Sequence, residues 1–263
     1  MRPPARFSNR RLTPTNVRRE RALRTMPTWL DQKRRGVIIT IDGPAGTGKS
    51  TVARLLARHL GLEFLDTGAM YRAAALLAIE QGIAPPDGPA LARAVGRADL
   101  HFDFAEDPPR MKVGDRDVSV RIRDLDVGEI VSVVASQEPL RRVLVEMQRA
   151  IARDHPRLVS EGRDQGSVVF SEAAVRFYLD ADVTERARRR AGQLEAAGIE
   201  VDHDCVVREI ARRDEMDCAR ADGPLLRPPG AIEIDSSRRT AEEVVEELAR
   251  IARERLGWAG LGT

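Results

Sequence analysis

Cysteine is nearly absent from this chain, whose 263 residues hold only Cys205 and Cys218. Two such residues, taken as ordinary reduced thiols, build neither a disulfide framework nor a metal motif. The four histidines, His59, His101, His155 and His203, are scattered without ligand spacing, so no structural zinc site is expected. No apolar run approaches the about 18 residues of a membrane span. The N-terminus also lacks the short apolar stretch of a secretory signal. No membrane partner is expected, and a cytoplasmic protein is the simplest reading. Internal repeats are missing too, as are low-complexity segments beyond the N-terminal region.

A hydrophobic fraction of 42% is enough to bury a core. The formal net charge of +2 conceals an asymmetry: residues 1–35 carry eleven Lys or Arg against Glu20 and Asp31, and the remaining 228 balance at 32 minus 39, or −7. Basic character therefore belongs to the N-terminal segment, and no nucleic acid is expected to bind the core. With Pro3, Pro4, Pro14 and Pro27 and no sustained periodicity, residues 1–35 have the composition of a disordered basic tail. A chain start placed too early, with Met26 as the true start, accounts for that run; a transit peptide or a nucleic-acid arm are the alternatives.

From Val37 the pattern is that of an α/β protein. Val37-Ile38-Ile39-Thr40-Ile41 reads as a buried strand, followed by a Gly-rich turn and a helix through about Leu60. Further strands are expected at 62–65, 158–161, 175–179 and 231–234. Helices are expected at 68–81, 138–153, 184–197, 203–217 and 240–256. This alternation predicts a five-stranded parallel sheet between helices. Thr240-Ala241-Glu242-Glu243 is a capping box ahead of an apolar stripe, Val244, Val245, Leu248, Ile251 and Ala252. One stretch, about 99–126, breaks the alternation: Leu100 to Phe104 and Arg110 to Val118 read as short antiparallel strands of a small insert.

Gly43-Pro44-Ala45-Gly46-Thr47-Gly48-Lys49-Ser50, with Thr51 next, matches G-x-x-x-x-G-K-[ST] between a predicted strand and a predicted helix. The glycines let backbone N–H groups converge on phosphate oxygens at the positive end of the helix. Lys49 is expected to reach the β and γ phosphates of ATP and the Ser50 hydroxyl to ligate Mg²⁺.

The phosphate acceptor is a separate question. An alcohol acceptor calls for a carboxylate base, whereas a nucleoside monophosphate is already an anion and calls for arginines. Four segments supply candidates: Asp66-Thr67-Gly68-Ala69-Met70-Tyr71-Arg72, past the second strand; Glu161-Gly162-Arg163-Asp164-Gln165-Gly166, at a strand's C-terminal end, where open α/β sheets bind ligands; Arg213, Asp217 and Arg220, spaced to share one helical face; and Ser132 with Arg141, ahead of a helix. The run Arg186, Arg188, Arg189, Arg190 reads for most of its members as a solvated helix face. Asp164 and Asp217 are also candidate structural partners of the arginines.

Together with the phosphate loop, these motifs resemble the bacterial cytidylate kinases, from about Val37 to about Leu256. The resemblance implies a P-loop kinase with a short LID at about 205–228 and an NMP-binding region enlarged by a small β insert at about 99–130, within one domain over 36–263. It implies ATP and Mg²⁺, CMP or dCMP as acceptor, and a monomer. It sets Thr67, Arg72, Arg163 and Arg220 around the acceptor phosphate, and Ser132, Arg141 and Asp164 at the base. Arg213 and Asp217 fall beside the ribose, Arg213 and Arg220 within reach of the transferring phosphate, and Arg189 near the adenine. Lys49, Arg163, Arg213 and Arg220 form the catalytic set. A carboxylate accepting from the cytosine amino group, with a guanidinium donating to its ring acceptors, fits cytosine over uracil. Departures from the commonest pattern are Thr67 for Ser, Gln165 for an aliphatic residue, and Ser171-Glu172 for Pro-Asp. The competing readings are a kinase for another acceptor and a P-loop binding module acting through partners.

Overall fold

The computed structural model describes residues 36–196 and 198–258. The predicted tail at 1–35 lies outside them. The described residues from Val37 onward form one compact unit.

Strand β1 (Val37–Asp42) runs into the Gly-rich turn and helix α1 (Lys49–Leu60), which ends on Gly61 in the left-handed region. β2 (Glu63–Asp66) leads directly into α2 (Thr67–Gln81), where the Asp66 carboxylate caps the helix by accepting from Ala69 N at 2.9 Å. Ala73 through Ala78 are all buried, so α2 is a core helix rather than an amphipathic one.

Next comes α3 (Gly88–Arg97), which the sequence hides behind Gly88, Pro89 and Gly96. Asp87 caps it, and Leu91, Ala94 and Val95 bury its inner face. β3 (Leu100–Asp103), β4 (Arg110–Val113) and β5 (Arg116–Asp117) then make the expected antiparallel sheet, in that order.

α4 (Leu125–Ala135) begins inside the stretch assigned to the insert. Its β-branched run, Val127, Ile130, Val131, Val133 and Val134, has poor helix propensity, and tertiary burial of Val127, Val131, Val134 and Ala135 at helical spacing overrides it. α5 (Glu138–Asp154), β6 (Arg157–Gly162), β7 (Val175–Asp180), α6 (Val183–Ala196), α7 (His203–Cys218), β8 (Ile232–Asp235) and α8 (Ala241–Arg255) complete the order.

All strands of the main sheet are parallel, in the order β2-β6-β1-β7-β8. The expected α/β class, a five-stranded parallel sheet between helices, is therefore the observed one. The capping box of α8 is present in full, Thr240 and Glu243 each bonding the other's backbone. Among the described residues no helix is long and apolar enough to cross a membrane.

Candidate active site

A cleft of about 1390 Å³ opens where Asp42, Asp66 and Gly162 end their parallel strands. Crossover helices begin there, so their N-terminal dipoles gather at one rim. Of the residues singled out in the sequence, Ala45, Gly46, Thr47, Gly48, Lys49, Ser50, Thr51, Thr67, Arg72, Ser132, Arg141, Arg163, Asp164, Arg189, Arg213, Asp217 and Arg220 all line this cleft. Gly43 and Pro44 are buried and do not.

The phosphate loop forms one wall. Gly43 has φ 150° and packs so close to β7 that a Cβ would overlap the Leu179 carbonyl oxygen. Lys49 is buried, and its Nζ donates to the Pro44 carbonyl and, at 3.3 Å, to Thr47 Oγ1. Burial first and the Arg163 guanidinium second pull its pKa down to about 7. Ser50 Oγ donates to Glu161 Oε1 at 2.7 Å. Glu161 is itself buried, and desolvation, then Asp66, push its carboxyl up to about 7.

Arginines crowd the opposite wall. Asp217 on α7 accepts from Arg163 Nε at 2.8 Å and also from Arg220. Arg213 and Arg220 each bury an Nε atom with no hydrogen-bond partner. Burial, then Arg163 and Arg72, lower the Arg213 pKa to about 10; burial also lowers that of Arg72. A desolvated cluster of like charges with orphaned donors is an anion site by its chemistry.

At the inner end lies Arg141, in the first turn of α5. Its Nη2 donates to the Asp164 carboxylate, Nη1 to Tyr71 Oη at 3.2 Å and Nε to Asp222 Oδ2 at 3.0 Å. Burial opposes its charge, but Tyr71, Asp164 and Asp222 outweigh burial and raise the guanidinium pKa. Ser132 lies within α4 rather than ahead of a helix, which places it on the cleft wall. Thr67 Oγ1 donates to the Glu161 carbonyl at 2.7 Å. Arg189 braces the phosphate loop, donating to the Thr47 carbonyl at 3.2 Å and the Ser236 carbonyl at 2.6 Å.

One member of the arginine run on α6 is not solvated. Arg186 is buried and paired with Asp214, and its Nη1 donates to the Ala45 carbonyl at 3.2 Å. Arg190 lines the cleft and makes no hydrogen bond or ion pair among the described residues. Sequence reasoning also passed over Asp42, whose carboxylate accepts from Gln165 N and Gly166 N at 2.7 Å each and so holds the turn that follows Arg163 and Asp164. Its place beside Gly43 was the available signal. Glu161 stood inside a quoted motif without a role, and nothing local marks Asp222.

Four carboxylates that line the cleft beside the arginines and the phosphate loop are already engaged: Asp217 by Arg163 and Arg220, Asp164 by Arg141, Glu161 by Ser50, and Asp66 by the α2 amide and Arg123. The model of the cytidylate kinase family matches residues 39–254 of this chain. The chain belongs to the cytidylate kinase family. It is therefore a nucleoside monophosphate kinase that uses ATP as co-substrate. It is 42% identical to a cytidylate kinase of Mycobacterium avium (strain 104) over 219 residues, 83% of this chain and 96% of that one. A cytidylate kinase of Geobacter sulfurreducens is 42% identical over 84% of this chain and 95% of that one. One of Pelotomaculum thermopropionicum is 46% identical over 81% and 95%. The cytidylate kinase match thus takes in the phosphate loop, the arginine wall and the Arg141–Asp164 pair.

Proposed function

We propose that this chain transfers the γ-phosphoryl group of ATP to CMP or dCMP, giving ADP and CDP or dCDP. The observation that carries the reading is the arginine wall: Arg72, Arg163, Arg213 and Arg220 face the phosphate loop with two buried guanidinium nitrogens unpaired. An acceptor that is itself a phosphate satisfies them and needs no base, which accords with carboxylates committed elsewhere.

In this reading the loop amides and Lys49 hold the β and γ phosphates. Arg72, Arg163 and Arg220 hold the acceptor phosphate, with Thr67 at its edge. Arg213 neutralises charge on the phosphoryl group in transit, and Asp217 fixes the guanidinium planes while bordering the sugar. Arg141 and Asp164, with Ser132 beside them, read the base. Arg189 stands on the adenine side of the phosphate loop. Residues 205–228 serve as the LID, and 99–130 as the insert that widens the acceptor region. Closure of the LID keeps water from the transferring group.

Ser50 and Glu161 fit Mg²⁺. They are a hydroxyl and a carboxylate side by side, oxygen donors only. Among the described residues no group of three His, Cys, Asp or Glu side chains is placed to hold a metal, which suits an ion shared with nucleotide phosphates and water. When bound, the ion neutralises charge on the phosphates. In this reading the working unit is a monomer, and the soluble substrates favour the cytoplasm.

The test is ADP release measured with CMP, dCMP, UMP and AMP in turn. CMP and dCMP are expected to stimulate it most. Release unaffected by every monophosphate would sink the kinase reading, and a preference for AMP would sink the assignment of the base.

A further inference from the structure

Arg141 is almost wholly enclosed, at 1% exposure, and its guanidinium meets acceptors on three sides. Tyr71 and Asp164 belong to the cleft wall. The third, Asp222, lies 81 residues away in the chain, on the loop that follows α7. Gly223 lies directly against the same pair: at φ 59°, a Cβ there would overlap Arg141 Nη2 and come within 2.6 Å of Asp164 Oδ2. Leu225 N donates to the Asp217 carbonyl at 2.8 Å, which ties this loop to the helix carrying Arg213 and Arg220.

A carboxylate on Nε fixes the guanidinium plane, and with it the direction of the Nη hydrogens that Asp164 and Tyr71 do not take. It also adds a second negative charge beside Asp164. Both effects favour a base that presents an amino group over one that presents a carbonyl oxygen at the same place.

We infer that Asp222 is a positioning residue that sets the choice between amino- and oxo-pyrimidines, acting through Arg141. The inference rests on Arg141 and Asp164 being the base-reading pair. Asp222 is 40% exposed, so solvent screens its charge and the effect is modest.

The experiment compares the full chain with Asp222→Ala and Asp222→Asn, measuring kcat and KM for CMP, UMP and ATP. Asp222→Ala is expected to raise the CMP KM about five- to tenfold, with CMP kcat and the UMP and ATP KM values within about twofold. Asp222→Asn keeps an oxygen for the Nε–H but no charge, and is expected to fall between. An unchanged CMP KM in Asp222→Ala overturns the inference. So does a rise in all three KM values together, the mark of a loosened fold. Failure of the underlying reading shows separately, in the wild-type chain, as equal kcat/KM for CMP and UMP.

Discussion

Asp164→Asn tests the base-reading pair from the carboxylate side. Asp164 is 2% exposed, its Oδ2 accepting from Arg141 and its Oδ1 from Gln165 Nε2 at 3.3 Å. The introduced amide keeps its oxygen toward Arg141, because the guanidinium has only donors to offer. Its NH₂ group then takes the place of Oδ1, facing Gln165 Nε2 and the base. Removing one charge of a buried pair costs about 3–5 kcal/mol when nothing compensates. Asp222 and Tyr71 remain on Arg141 here, so a loss of roughly 1–2 kcal/mol is expected, a fall in Tm of about 2–8 °C. The catalytic effect is larger. Losing a charged acceptor for the cytosine amino group forfeits about 1.5–3 kcal/mol, or roughly 10- to 150-fold in kcat/KM for CMP. UMP, whose carbonyl oxygen can accept from the new NH₂, loses less or gains. The assay is coupled ADP release with both monophosphates on protein shown by thermal unfolding to be folded. A CMP-to-UMP ratio of kcat/KM unchanged in folded variant would refute the role given to Asp164.

Lys49→Ala is expected to lower kcat by roughly two to three orders of magnitude or more with a far smaller change in Tm, since it removes charge where the transition state gathers it; near-normal turnover would show the loop to be misread. Glu161→Gln keeps an oxygen for Ser50 but removes the charge, so the Mg²⁺ concentration at half-maximal rate should rise about tenfold or more while the CMP KM holds, read from Mg²⁺ titrations of the rate. Proton linkage supplies a third check. With its pKa depressed to about 7, Lys49 is mostly neutral above that pH in the empty site, and bound phosphate restores its charge. ATP binding without Mg²⁺ at pH 8 should therefore take up protons, as measured by calorimetry in buffers of different ionisation enthalpy. The uptake should shrink below pH 6, where Lys49 is already charged, and fall at pH 8 in Lys49→Ala, where Glu161, its carboxyl also pushed up to about 7, remains to take up protons.

Much of the fold is legible because its signals are local. A strand, a glycine-rich turn and a helix start follow one another over Val37–Leu60, and a phosphate loop works through backbone geometry that those residues set by themselves. The capping box of α8 lies within four adjacent residues for the same reason. Legibility fails where local preference and tertiary burial disagree. α4 carries no helix signal in its β-branched run until burial of Val127, Val131 and Val134 makes it a helix, and α3 is concealed by its glycines.

By itself the sequence determines that the chain binds a nucleotide polyphosphate, and that arginines outnumber any base available to an acceptor. What those arginines do to one another is decided only by the tertiary structure. Ser50 meets Glu161 across 111 residues, Arg163 meets Asp217 across 54, and Arg141 meets Asp222 across 81. Such pairs form because parallel strand order brings distant strand ends to one rim, where loss of water strengthens each charge–charge contact and leaves the unpaired guanidinium nitrogens of Arg213 and Arg220 in need of an anion.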